Sequence, residues 1–127
     1  MKVMELKMDR LAMNPRPDGN YLVAWASTTV DSETAAHALA REGVHARLAA
    51  CAQVEKIHSH YWWDGQLQQG DEWRITWKTT PRSLPALQRL LVPLHPYALP
   101  QWLWGDGPAS PAYAAWVAAE VGTPVQA

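Results

Sequence analysis

His58 and His60 are the most closely spaced histidines in the chain and its best metal candidates from spacing alone. On a strand, side chains at i and i+2 share a face, so both imidazoles could address one ion. Two nitrogens do not make a site. A third ligand would have to come from His95 or a neighbouring subunit, and the alternative is a polar strand face with half-exposed rings. His95 opens the run His95-Pro-Tyr-Ala-Leu-Pro100, where two prolines hold an imidazole and a phenol in a rigid loop. Such a loop suits a ligand site or a tight turn between helix and strand. Cys51, the one cysteine, lies in the apolar run Leu48-Ala-Ala-Cys51-Ala. It could serve as a nucleophile paired with a distant histidine, but packing is the expected role. There is no Gly-rich phosphate loop, GxSxG elbow or HExxH helix, and the carboxylates are scattered, so no enzyme is expected.

The elements that must position these residues are legible from patterning. Tyr21–Ser27 is a short apolar run that fits a buried strand. Thr29-Val-Asp-Ser32 supplies N-cap chemistry, with Glu33 in the first turn of a helix. Ala36, Leu39, Ala40 and Gly43 then make one small-residue face, unless the helix breaks at Gly43. From Cys51 to Trp63 the chain alternates, with Ile57, Ser59, Tyr61 and Trp63 on one side and His58, His60 and Trp62 on the other. Asp64-Gly65 is a strong hairpin signal. In the return run Leu67–Thr80, Trp73, Ile75, Trp77 and Thr79 oppose Glu72, Arg74, Thr76 and Lys78, and Gln69-Gly-Asp71 reads as a bulge or bend. Thr80-Pro81 opens a second helix whose stripe is Leu84, Leu87, Leu91 and Leu94, ended by Pro93 and Pro96. Gln101–Trp104 is a short strand bounded by Gly105-Asp-Gly-Pro108. Ser110-Pro111 starts a last helix that buries Tyr113, Trp116 and Val117.

That order predicts an α+β, ferredoxin-like βαββαβ sandwich with an extra C-terminal helix. At 127 residues and 48% apolar content the chain supports one domain, assigned to 20–127, without disulfides or structural metal. Residues 1–19, with all four Met and the Pro/Gly stretch Asn14–Asn20, read as a disordered extension or linker. A formal charge of -1 argues against nucleic-acid binding. With no membrane-length apolar run and no signal-peptide core, a cytoplasmic protein is expected. Eight Trp and four Tyr would leave apolar surface and open strand edges on a lone protomer, which points to an oligomer.

Several blocks, in order, carry a family resemblance: Leu48-Ala-Ala-Cys51, Ser59-His-Tyr-Trp-Trp-Asp-Gly65, Glu72-Trp-Arg-Ile-Thr-Trp-Lys-Thr-Thr80, His95-Pro-Tyr97, Pro100 and Tyr113-Ala-Ala-Trp116. Together they resemble the CutA divalent-cation tolerance family from about Tyr21 to Glu120. The resemblance implies a homotrimer built through the long hairpin, with clefts between subunits as in the nitrogen-regulatory PII proteins. It also implies a role in tolerance of copper or another divalent ion, with no organic cofactor. The copper site proposed for some members implies a Cys where this chain has Thr28 and a second His where it has Leu94. Of that set His95 stands, and Gln101 replaces an acidic residue, so any copper binding is expected to be weak. The motif places Glu72, Lys78, Thr79 and Tyr97 on a cleft. A second reading is a PII-like sensor of an anionic metabolite, with Lys78 supplying charge and Trp63 and Tyr97 stacking surface.

Overall fold

The computed structural model describes residues 21–122; the extension assigned to 1–19 lies outside the described residues. Strand β1 (Tyr21–Val30) leads through Ser32 into helix α1 (Glu33–His45), then β2 (Cys51–Trp63) and β3 (Gln66–Thr79). A 3-10 turn (Pro81–Ser83), helix α2 (Leu84–Leu91), a second 3-10 turn (Val92–Leu94), β4 (Leu103–Ala109) and helix α3 (Pro111–Glu120) follow. The four strands form one antiparallel sheet in the order β2-β3-β1-β4. This is the ferredoxin-like α+β arrangement expected from the element order.

Ser32 caps α1 by accepting the Ala35 amide at 3.0 Å, with Glu33 in the first turn. The helix runs unbroken through Gly43, so the alternative of a break there is not adopted. Proximity explains the glycine. A Cβ at Gly43 would lie 2.8 Å from Trp77 Nε1 and 3.1 Å from Leu87 Cδ1. Trp77, Ile75, Ala26, Val30, Leu39, Leu87 and Leu91 are the buried centre between α1, α2 and one face of the sheet. Helix α3 packs on the opposite face, where Ala114, Ala115, Val117 and Val121 bury Val23. Tyr113 and Trp116 are half-buried there.

Three local readings give way to tertiary context. Gly70 introduces no bulge: the β2–β3 register is continuous from Cys51↔Lys78 to Trp63↔Gln66, and Gly70 pairs with Ser59. Gly105-Asp-Gly-Pro108 lies inside β4 instead of bounding it. Gly105 sits opposite Trp25, whose ring would be 2.8 Å from a Cβ, and Pro108 is tolerated because β4 is an edge strand. Leu94 is 51% exposed and leaves the apolar stripe, because the chain has already tightened into a 3-10 turn. The hairpin expectation holds: Asp64 and Gly65 have φ of 54° and 73°, the type I′ signature.

Candidate functional site

Strand β4 pairs with β1 no further than Ser27↔Leu103. Beyond that rung, the loop His95–Gln101 fills the place beside Thr28 and Thr29. His95 Nδ1 accepts the Tyr97 amide N–H at 3.0 Å. Its Nε2 lies 2.9 Å from Thr28 Oγ1 and 3.1 Å from the Thr29 carbonyl. Thr28 is buried, and its hydroxyl donates to the Gln101 carbonyl. An amide N–H only donates and a carbonyl only accepts, so the partners fix the neutral tautomer with its proton on Nε2. Burial pushes the His95 pKa down, against the pull of the Thr29 carbonyl and of the Asp31 and Glu72 charges. At the loop's centre the Tyr97 hydroxyl donates to Glu72 Oε2 at 2.7 Å. Burial, then the Glu72 carboxylate, raise the phenol pKa well above its ordinary value.

Between this loop and the β2–β3 ribbon lies a cleft of about 760 Å³. Its lining includes Tyr61, Trp63, Glu72, Arg74, Tyr97 and Leu99. The ribbon face is set by the period of two: Ile57, Ser59, Tyr61 and Trp63 share it with Glu72 and Arg74, all rungs of one register. Arg74 pairs across the strands with Glu55 at 3.1 Å.

Glu72 and Tyr97 meet in this cleft, and Trp63 lines it roughly 20 Å further along the ribbon. Lys78 and Thr79 sit elsewhere in the protomer. Lys78 donates to Gln53 at 2.9 Å near the far end of β3. Thr79 points into the core and donates to the Leu48 carbonyl at 2.6 Å. Arg74 and Tyr61 also line the cleft, and their shared parity with Glu72 and Trp63 is the sequence signal that marks them. Cys51 is half-buried, its Sγ 3.8 Å from the Tyr113 hydroxyl. Burial, then that thiol, push the Tyr113 pKa up to about 12.

The three candidate imidazoles differ in what they have left to offer an ion. Both nitrogens of His95 are committed. His58 Nδ1 lies 3.0 Å from Asp71 Oδ1 and its Nε2 3.0 Å from Gln69 Oε1. Two oxygen acceptors favour the doubly protonated ring, and these bonds, Gln69 first, raise the His58 pKa. Asp71 is correspondingly lowered by His58 and Lys56. His60 touches the His58 ring edge-on at 5.1 Å, and no hydrogen bond of its ring is found among the described residues. Thr28, His95 and Gln101 do come together, as the resemblance implies. Their donor set does not fit copper: it holds no thiolate, its imidazole lone pair is taken by an amide, and its carbonyl by a hydroxyl. Among the described residues, no group of three or more His, Cys, Asp or Glu side chains is placed to hold an ion. No helix among them is long and apolar enough to cross a membrane.

Comparison with known proteins gives a consistent picture. The family model of the CutA1 divalent ion tolerance protein matches residues 24–120. The divalent-cation tolerance protein CutA of Thermotoga maritima is 37% identical over 73 residues, 58% of this chain and 72% of the relative. That of Thermus thermophilus is 38% identical over 74 residues, with the same two shares. Among solved structures, CutA from Synechococcus elongatus superposes with a TM-score of 0.76 at 37% identity, covering 80% of this chain and 91% of its own. An Asp-to-Ala variant of CutA1 from Pyrococcus horikoshii gives 0.75 at 25% identity, covering 79% of this chain and 99% of its own.

Proposed function

The chain belongs to the CutA1 divalent ion tolerance family, and on that footing we propose that it contributes to tolerance of copper or another divalent cation as a cytoplasmic homotrimer that catalyses no reaction. The family match over residues 24–120, which takes in nearly every described element, carries this reading. Self-association is supported by the apolar surface a lone protomer leaves in water. Trp62, Trp63, Leu67, Leu103 and Trp104 are each more than half exposed. The outer edges of β2 and β4 are also unpaired among the described residues.

Direct ion binding is weak in this reading, and His60 is its first ligand because its ring nitrogens have no hydrogen-bond partner among the described residues. His58 joins only after giving up a proton and its bonds to Asp71 and Gln69. Further ligands come from other copies of the chain. Calorimetry with Cu(II) on the full chain tests this. Modest binding should weaken at least tenfold in His60→Ala, persist in His95→Ala, and weaken in acid, because an imidazole must be neutral to ligate. Tight binding that survives both substitutions but vanishes in Cys51→Ser would overturn it.

A sensor of a small anionic metabolite is the second reading. It is favoured by Arg74, which brings a guanidinium to the wall of the cleft that Tyr97 also lines, where Lys78 does not reach. Absence of copper binding in the wild type, with a metabolite raising the thermal midpoint, would move the assignment there.

A further inference from the structure

We propose that the His95–Gln101 loop is a proton-sensitive clamp on the cleft wall, with His95 as its positioning residue, in the place where the family resemblance implies a copper site. The inference does not depend on ion binding. It rests on a hydrogen-bond pattern that one protonation state alone satisfies. The Tyr97 amide needs a lone pair on Nδ1, and the Thr29 carbonyl needs a proton on Nε2. Thr28 Oγ1, whose own proton goes to the Gln101 carbonyl, is left to accept from the same Nε2–H. One imidazole thus ties the start of the loop to β1, while the Thr28 hydroxyl ties its end to the same strand.

Adding a proton to Nδ1 sets an N–H against the Tyr97 N–H. That amide then loses its acceptor, and two donors face each other. The disturbance falls on Tyr97, whose ring packs on His95 with centroids 5.0 Å apart and whose hydroxyl is bonded to Glu72. The charged groups around His95 are Asp31, just past β1, and Glu72 on β3, both of which favour the imidazolium; Arg74 lines the same cleft with the opposite sign. Burial works against the imidazolium and prevails, so the clamp is closed at neutral pH and opens in acid. Because Pro96, Tyr97, Ala98 and Leu99 line the cleft, opening the clamp alters the shape of that wall.

Nitrogen spectra of the full chain carrying 15N-histidine, recorded from pH 5 to 8, test the proposal. His95 should show a protonated Nε2 and bare Nδ1 at pH 7 and titrate below 6.5. The Tyr97 amide resonance, from uniformly labelled chain, should move with the same midpoint and become pH-independent in His95→Gln. Zn(II) added at pH 7 should leave both His95 nitrogens where they are. A proton on Nδ1 at pH 7, a Tyr97 amide indifferent to His95, or a zinc-induced shift at His95 would each overturn it.

Discussion

The Tyr97 hydroxyl donates to Glu72 Oε2 across 2.7 Å, joining the loop before β4 to the middle of β3. This bond closes one side of the cleft from a distance of 25 residues in sequence. Tyr97→Phe keeps the ring against His95 and removes only the hydroxyl. Its expected cost is about 1 kcal/mol, the scale of a half-exposed hydrogen bond to a charged group. Denaturant unfolding measures it, and an unchanged midpoint would mean the bond does not hold the loop.

Gly43 and Trp77 should be energetically coupled. Gly43→Ala gains about 1 kcal/mol of helix propensity. It also drives a methyl against Trp77 Nε1 and Leu87 Cδ1, and overpacking of this kind costs about 1–3 kcal/mol. The expected balance is destabilising. Trp77→Phe removes the indole atoms in the way, along with an Nε1–H that has no partner among the described residues. The double variant should therefore be more stable than the sum of the singles by about 1 kcal/mol. Simple additivity would refute the contact.

Two histidines should tilt the pH dependence of stability in opposite directions. The folded-state pKa of His95 is lowered, so below about 6.5 the unfolded chain takes up the proton first and stability falls with acid. The folded-state pKa of His58 is raised, so its contribution is full below about 6.5 and is lost as pH rises through the folded value. Urea midpoints between pH 5 and 8 should lose the acid slope in His95→Gln and the alkaline one in His58→Gln. The reverse assignment would show that the two rings have exchanged roles.

In solution the chain should scatter light with three times the mass of its 14.2 kDa protomer. A monomer at micromolar concentration would leave the exposed tryptophans without cover and end the trimer reading.

How much of this was legible from the residues depends on the range of the interaction concerned. Strand faces, the Asp64-Gly65 turn and the Ser32 and Ser110 caps follow from local periodicity and hydrogen-bonding chemistry, and they are found as read. Gly105 and Pro108 misled because their meaning is lateral. One makes room for the Trp25 ring on the next strand, and the other is harmless only at an edge. Thr79 was assigned to the cleft by motif, yet its parity with Trp77 puts it in the core. The commitment of both His95 nitrogens could not be read at all, because two of its partners, Thr28 and Thr29, lie more than sixty residues away.

The unbulged ribbon outruns the rest of the sheet. Strand β1 accompanies β3 only to Val30↔Trp73, while β2 and β3 stay paired from Ile57↔Glu72 out to Trp63↔Gln66. That leaves roughly 20 Å of two-stranded ladder, and two strands alone are marginal in water. Backbone amides in those rungs can resist exchange with deuterium for long only when something beyond the described residues, such as another copy of the chain, shields them. Their exchange rates, set against those of the Ala26 and Trp77 amides in the sheet centre, therefore make the ribbon a built-in gauge of association. Dilution should speed exchange at the tip long before it reaches the core.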